Sequence, residues 1–422
     1  MSNQFPVVII GAGPVGLAAA AHLVEYGLTF VILEKGESVG SNILEWGHVQ
    51  LFSPWEYNTN QAATKLLSET EWQHPDKDKL PTGQELVNEY LKPLSQLQVM
   101  QEKIRFNSEV VAVTKDGADK LKSDNRNERA FVVHHKNGNK FEKVRASAII
   151  DASGTWQNPN PPYTDGVWLD SSIRDSVYTN IPAVQQQLEV FKDKHTVVIG
   201  SGHSALNTLL NLAELKENHP STKISWILRR ESPVSAFGGE EQDQLAARGA
   251  LGSSAHKLVE QGVIDVFAPF NVEAIDYDGS KYTLSSKEGN IISSVNEIVV
   301  NTGARPDFSF LREVRYVIDP IVESTPALAP LIDPNLHSCG TVRPHGEEEL
   351  KHPEKNFYFA GVKSYGRAPT FLLATGYEQV RSIVASIAGD IESAKQVKLK
   401  LPETGVCKTN IVTAKQQSCC GC

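Results

Sequence analysis

Twice in this chain an apolar run of strand length ends in a glycine turn that opens a helix. The first run is Phe5-Pro-Val-Val-Ile-Ile10, followed by Gly11-Ala-Gly13-Pro-Val-Gly16 and an alanine-rich segment to Tyr26. The second is Thr196-Val-Val-Ile, followed by Gly200-Ser-Gly202-His-Ser-Ala205 and a helical segment to about Leu215. Gly11 permits the tight turn, Gly13 lets backbone come close to a pyrophosphate, and Gly16 lets helix pack on strand, with the helix N-terminus facing the phosphates. Gly200, Gly202 and Ala205 repeat those stations. Two such units commit the chain to an α/β fold with parallel sheets and two nucleotide sites.

The residues that close the second strand of each unit tell the two ligands apart. Leu28-Thr-Phe-Val-Ile-Leu33 ends in Glu34, whose carboxylate accepts hydrogen bonds from ribose hydroxyls and repels a 2′-phosphate, which points to FAD or NAD rather than NADP. Lys223-Ile-Ser-Trp-Ile-Leu228 ends instead in Arg229-Arg230, and two guanidiniums there clamp a 2′-phosphate, which points to NADPH. The plainer reading of the arginines is a surface pair beside an acidic neighbour. His203 and Ser204, inside the second turn, are candidates to touch the pyrophosphate.

At 422 residues the chain suits two or three domains rather than one core. A net charge of −9 argues against nucleic acid or an anionic membrane as partner, so phosphate binding has to be local. The apolar N-terminus lacks a basic leader and is broken by glycines, and no run is long enough to cross a bilayer; a cytoplasmic protein is expected. Four of the five cysteines crowd into the last sixteen residues, which is not a disulfide framework.

Between the two units, Gly36 to Tyr57 is turn-rich and holds Trp46, His48, Phe52, Trp55 and Tyr57, either flooring a ligand cavity or covering the core. Helices are expected at Gln61–Glu69 and Gly83–Leu94, and a strand at Arg105–Val113, where Val111 or a neighbour meets the adenine. Lys115–Arg129 reads as a solvated hairpin loop. Strands are expected at Phe131–Lys136 and Val144–Ile150, the latter running into Asp151-Ala-Ser-Gly154, and Pro159-Asn-Pro-Pro162 marks a crossing between domains. Ile298–Pro306 closes the second domain. Asn356-Phe-Tyr-Phe-Ala-Gly361 is a further buried strand, and a helix is expected from near Pro369-Thr370, with an N-terminus suited to negative charge on a reduced isoalloxazine. His345 and His352, with Glu347–Glu349, read as a solvated charge run rather than a metal site.

The order of these pieces resembles the two-dinucleotide-binding-domain flavoproteins, which include flavin-containing monooxygenases and thioredoxin-reductase-like enzymes. The resemblance implies FAD in a split domain, 1–160 with 315–400, and NADPH in an inserted Rossmann-like domain, 165–312, leaving 401–422 as a cysteine-rich tail. It further implies cofactor contacts from Gly154, Gly361, Thr370 and Phe371. The chain departs from that pattern in three ways. It has no Phe-x-Gly-x-x-x-His fingerprint, it has Gly361-Val362-Lys363 where Gly-Asp is usual, and it has no Cys-x-x-Cys in the nucleotide domain. Leu331–Gly346, Lys363–Leu373 and Leu401–Cys407 look like the NADPH-dependent flavoproteins of arsenic-resistance gene clusters, some of which oxidise trivalent methylated arsenic.

FAD and NADPH together supply a redox path from hydride donor through flavin to oxygen or another acceptor. Thiolates are soft ligands for thiophilic centres, so Cys419, Cys420 and Cys422 are candidates to capture a metalloid, and Cys339 and Cys407 to receive it. The bland alternatives are a small buried Cys339 and an inert tail. A monooxygenase acting on a trivalent organoarsenical with molecular oxygen is the leading expectation. A reductase exchanging electrons through the tail thiols is the second, and a slow redox or metalloid sensor the third.

Overall fold

The computed structural model describes residues 5–243, 245–336, 345–369 and 371–399. Strand β1 (Val7–Ile10) is buried throughout and leads through the first glycine turn into α1 (Pro14–Glu25), with proline in its first turn, where no backbone donor is lost. Strand β2 (Phe30–Leu33) pairs parallel to β1 in the register Val7↔Phe30. The expected strand 105–113 is broken in two: β3 (Ile104–Arg105) adds to the edge of β2, while β4 (Glu109–Lys115) leaves for another sheet. The break falls at Asn107, whose φ of 52° turns the chain out of extended geometry. Likewise the apolar run 144–150 divides between two strands, one ending at Ala146 and the next starting at Ala148. Strands β4, β5 (Phe131–Asn137) and β6 (Lys140–Ala146) form an antiparallel sheet, and β7 (Ala148–Asp151) returns to lie parallel beside β1.

The second unit repeats the first. Strand β8 (His195–Ile199), α2 (His203–Asn218) and β9 (Lys223–Ile227) are followed by α3 (Ala246–Glu260) and β10 (Asp265–Phe267). Strands β11 (Val272–Tyr277), β12 (Tyr282–Ser286) and β13 (Ile291–Val295) make a second antiparallel sheet, and β14 (Glu297–Val300) completes a parallel sheet ordered β10-β9-β8-β14.

Strand β15 (Phe357–Phe359) then pairs parallel to β7 in the register Phe357↔Ile149, giving the first sheet the order β15-β7-β1-β2-β3. Phe357 and Ile149, 208 positions apart in sequence, are therefore next neighbours, with the whole second unit inserted between them. Residues 308–314 lie with the first unit: Leu311 and Val314 are buried with Val8, Ile10 and Phe357. The crossing back thus precedes Phe308 rather than falling at 312.

Helix α4 (Leu373–Ala388) packs its apolar face on α1, and starts three residues later than expected. Three further expectations change on contact with the fold. The loop 115–129 is mostly exposed but anchored, because Arg126 is buried and forks onto Glu354 through Nε and Nη2. The segment 345–352 is only partly solvated: Glu348 and Lys351 are exposed, but His345 and Glu347 are buried, the latter accepting from Tyr358 at 2.9 Å. The helix expected at 83–94 holds a π-helical stretch at Leu86–Leu91. Among the described residues no helix is long and apolar enough to cross a membrane, and no group of three or more His, Cys, Asp or Glu residues is placed to hold a metal ion.

Candidate nucleotide cleft

Both glycine turns open on one cleft of about 1900 Å³. At the first, Gly11 has φ +100°, and a Cβ there would stand 2.8 Å from the Ala152 carbonyl oxygen, while one on Gly16 would stand 2.0 Å from that of Gly11. A side chain at either position collides with backbone, so the turn needs both glycines. Gly13 differs. It caps α1, and nothing lies within 4 Å of where its Cβ would be. That space, facing a helix N-terminus with no side-chain cap, suits a pyrophosphate.

The second turn has the same geometry. Gly200 has φ +136° and would place a Cβ 2.1 Å from the Asn301 carbonyl oxygen, Gly202 is open, and Ala205 is wholly buried against the sheet. Both cradles therefore fit dinucleotides on steric grounds.

Glu34 stands at the end of β2, where its carboxylate accepts from the backbone amides of Ala12 (2.6 Å) and Gly36 (2.8 Å). Those bonds tie strand to turn and hold the carboxylate at the cleft edge. Arg229 and Arg230 are exposed on the cleft beyond β9, and Arg230 donates to the Ser235 hydroxyl at 2.7 Å. Gly154, with φ +75°, and Gly361, with φ +69°, line the floor between the two turns. Gly361 is fixed by Gln379 of α4, whose carboxamide oxygen accepts from its amide at 2.8 Å. Phe371 lines the cleft and meets Tyr365 edge-on. Val111 does not line it: that side chain is 37% exposed, and alternation along β4 gives the position to Val110. Thr370 and the five cysteines, Cys339, Cys407, Cys419, Cys420 and Cys422, lie outside the described residues.

The aromatic loop divides between the two roles open to it. Trp46 and Phe52 line the cleft, whereas Trp55 is entirely buried in the first core. Trp46 meets Trp156 with ring centroids 6.3 Å apart, and the Trp156 indole donates to Glu45 at 2.6 Å. Phe52 reaches across to the second unit and packs on His203 at a centroid distance of 4.9 Å. Burial, and then the charge of Arg248, push the His203 imidazole down to about 4, so it is neutral near pH 7.

Besides Arg126 and Glu354, two charged pairs nearer the cleft have no expectation in the sequence. Lys363, one residue past the Gly-Val that replaces Gly-Asp, turns inward and meets Asp151 at 2.7 Å, both fully buried. A lysine closing the apolar run Phe-Tyr-Phe-Ala-Gly-Val was a signal, since a buried ammonium needs an acid. Arg248 and Asp243 form the other, with Nε to Oδ2 at 2.6 Å and Nη2 to Oδ1 at 2.8 Å. Nothing in Ala246-Ala-Arg-Gly-Ala announces it.

Three comparisons bear on identity. A flavin-containing monooxygenase, FMO GS-OX-like 8, of Arabidopsis thaliana is 28% identical over 243 residues, which cover 53% of this chain and 51% of that one; the chain spans about half the length of this relative. The bacillithiol disulfide reductase Bdr (YpdA) of Bacillus cereus superposes with a TM-score of 0.64 at 19% identity, over 92% of this chain and 99% of the other. A flavin-containing monooxygenase of Stenotrophomonas maltophilia gives 0.59 at 17%, over 92% and 98%. Both superpositions speak to fold. Residues 8–331 match the model of the pyridine nucleotide-disulphide oxidoreductase family, a span that includes both glycine turns. The chain belongs to that family.

Proposed function

We propose that the first glycine turn holds FAD, that the second holds NADPH, and that the enzyme is a monooxygenase of a soft nucleophile such as trivalent methylated arsenic. The observation that carries the reading is the single cleft: both turns, Glu34 and the arginine pair open on one enclosure, so donor and flavin sites are continuous. FAD, when bound, supplies hydride acceptance and the activation of oxygen. Two electrons from NADPH and one oxygen molecule convert the lone pair of the nucleophile to an element–oxygen bond, and the second oxygen atom leaves as water.

The residues of the chain have simpler tasks. Glu34 receives ribose hydroxyls at the first site, and Arg229 with Arg230 receives the 2′-phosphate at the second. Trp46, Phe52, Phe310 and Leu372 keep the space between them apolar. The first amides of α4 lie at the cleft and favour negative charge on a reduced ring.

The similarity over about half of the chain to a flavin-containing monooxygenase favours oxygen over a disulfide as acceptor. For arsenic in particular the support is chemical: a Cys-Cys-Gly-Cys terminus is a soft-ligand cluster that releases a hard pentavalent oxyanion. The test is NADPH consumption with oxygen uptake against methylarsenite, arsenite, thioethers and amines. Methylarsenite is expected to stimulate both together. Stimulation by thioethers or amines alone would remove the arsenical, and turnover undiminished without oxygen would remove the monooxygenase in favour of a reductase working through the tail thiols.

A further inference from the structure

We infer that Arg248 is the cation that grips the pyrophosphate of the nicotinamide nucleotide, with Asp243 holding it in position; this rests on NADPH occupying the second turn. That turn has little positive charge of its own. Gly202 caps α2 without a side-chain cap, and His203 at the first helical position is uncharged near neutral pH. The chain as a whole carries −9, so an anion approaching this turn needs a local cation. Arg229 and Arg230 lie at the end of β9, the position that reads the far ribose, and are not the cations required at the turn.

Arg248 is at that place by independent measures. It lines the cleft, its charge acts on His203, and its guanidinium carbon lies 5.9 Å from the centre of the Phe52 ring that packs on His203. The residue is only 7% exposed. Its Nε and Nη2 are both committed to Asp243, which leaves Nη1 and the second Nη2 hydrogen as a fork with no partner among the described residues. A guanidinium held on one edge by a carboxylate presents its other edge ready for a second oxyanion, in the planar geometry that phosphate accepts. Its position is fixed from below as well, since a Cβ on neighbouring Gly249 would stand 2.0 Å from the Glu240 carbonyl oxygen. Only a glycine lets α3 lie this close to the loop that carries Asp243.

A pyrophosphate ligand and a 2′-phosphate ligand give different signatures. The pyrophosphate is common to NADPH and NADH, so loss of Arg248 weakens both equally; the 2′-phosphate belongs to NADPH alone. The experiment is titration of the FAD-loaded protein with NADP⁺ and with NAD⁺, followed by intrinsic tryptophan fluorescence, for the wild type, Arg248→Met, Asp243→Asn/Arg248→Met, Arg248→Lys and Arg230→Gln. The double variant removes both buried charges at once and so guards against a fold lost to an unpaired Asp243. Arg248→Met and the double variant are expected to weaken both nucleotides by the same factor, roughly tenfold or more, and Arg248→Lys by less. Arg230→Gln is expected to weaken NADP⁺ alone. Unchanged affinities in the double variant, or a loss confined to NADP⁺, would overturn the assignment. A wild type that binds neither nucleotide would instead overturn the reading of the second turn on which it rests.

Discussion

Lys363 Nζ lies 2.7 Å from Asp151 Oδ2 with both side chains wholly out of solvent. The same ammonium donates to the Asp307 carbonyl oxygen at 2.8 Å and to the Ser153 hydroxyl at 3.1 Å, and it sits 4.5 Å from the centre of the Phe310 ring. Asp151 and Ser153 lead out of the first unit, Asp307 leads back into it, and Lys363 follows the strand that completes its sheet. One side chain therefore joins both crossings to the floor of the first cradle.

Lys363→Met leaves the buried Asp151 without its counter-cation, held only by the Ser153 amide and hydroxyl, and is expected to cost about 3–5 kcal/mol. Asp151→Asn/Lys363→Met, with neither charge, should regain much of that loss in a denaturant melt. FAD affinity of the apoprotein should stay weakened in the double variant, because the bond to Asp307 is still missing. Full recovery of affinity together with stability would reduce Lys363 to a charge partner of Asp151.

Arg230→Gln is expected to raise KM for NADPH roughly ten- to a hundredfold, the range for a charge-assisted hydrogen bond, and to leave KM for NADH in place. Steady-state kinetics with the two donors checks it. The exposed guanidinium already holds Ser235, so the substitution should also loosen that turn without unfolding the domain.

The protein should lose stability in mild acid through its histidines. Burial pushes His352 down to about 4, and burial with Arg248 does the same to His203. His48, His135 and His195 are lowered by burial as well. A histidine whose folded pKa lies below its unfolded one takes up its proton more readily when unfolded. Stability is then full above about pH 6.5 and falls as pH drops toward 4, by up to roughly 3 kcal/mol for His352 alone. Melting temperatures measured from pH 7.5 to 4.5 should fall on the acid side, and His352→Asn should flatten that limb.

The features written as local spacing were legible before the fold was known. Gly11, Gly13, Gly16 and their counterparts at 200, 202 and 205 stand where a strand, a turn and a helix have to meet, and the repeat exposed the insertion. The register of β15 beside β7 is long-range and has no local signature, yet the Asp151-Ala-Ser-Gly154 turn and the Phe-Ala-Gly361 strand hinted at it. Polar residues that a third segment covers misled. Arg126, His345 and Glu347 lie in hydrophilic stretches and are buried because partners distant in sequence satisfy them. Val110 and Val111 show the other difficulty, since alternation in a strand limits the lining to one of two neighbours without saying which.

The proposed reaction requires electrons to pass from a nucleotide at the second turn to a flavin at the first. Mixing FAD-loaded protein with NADPH in the absence of oxygen, and following the flavin absorbance by stopped flow, tests this most directly. The expected result is full bleaching of the oxidised flavin, slowed at limiting donor by Arg230→Gln and more strongly by Arg248→Met. A flavin that stays oxidised with excess NADPH, or a protein that takes up no FAD, would contradict it.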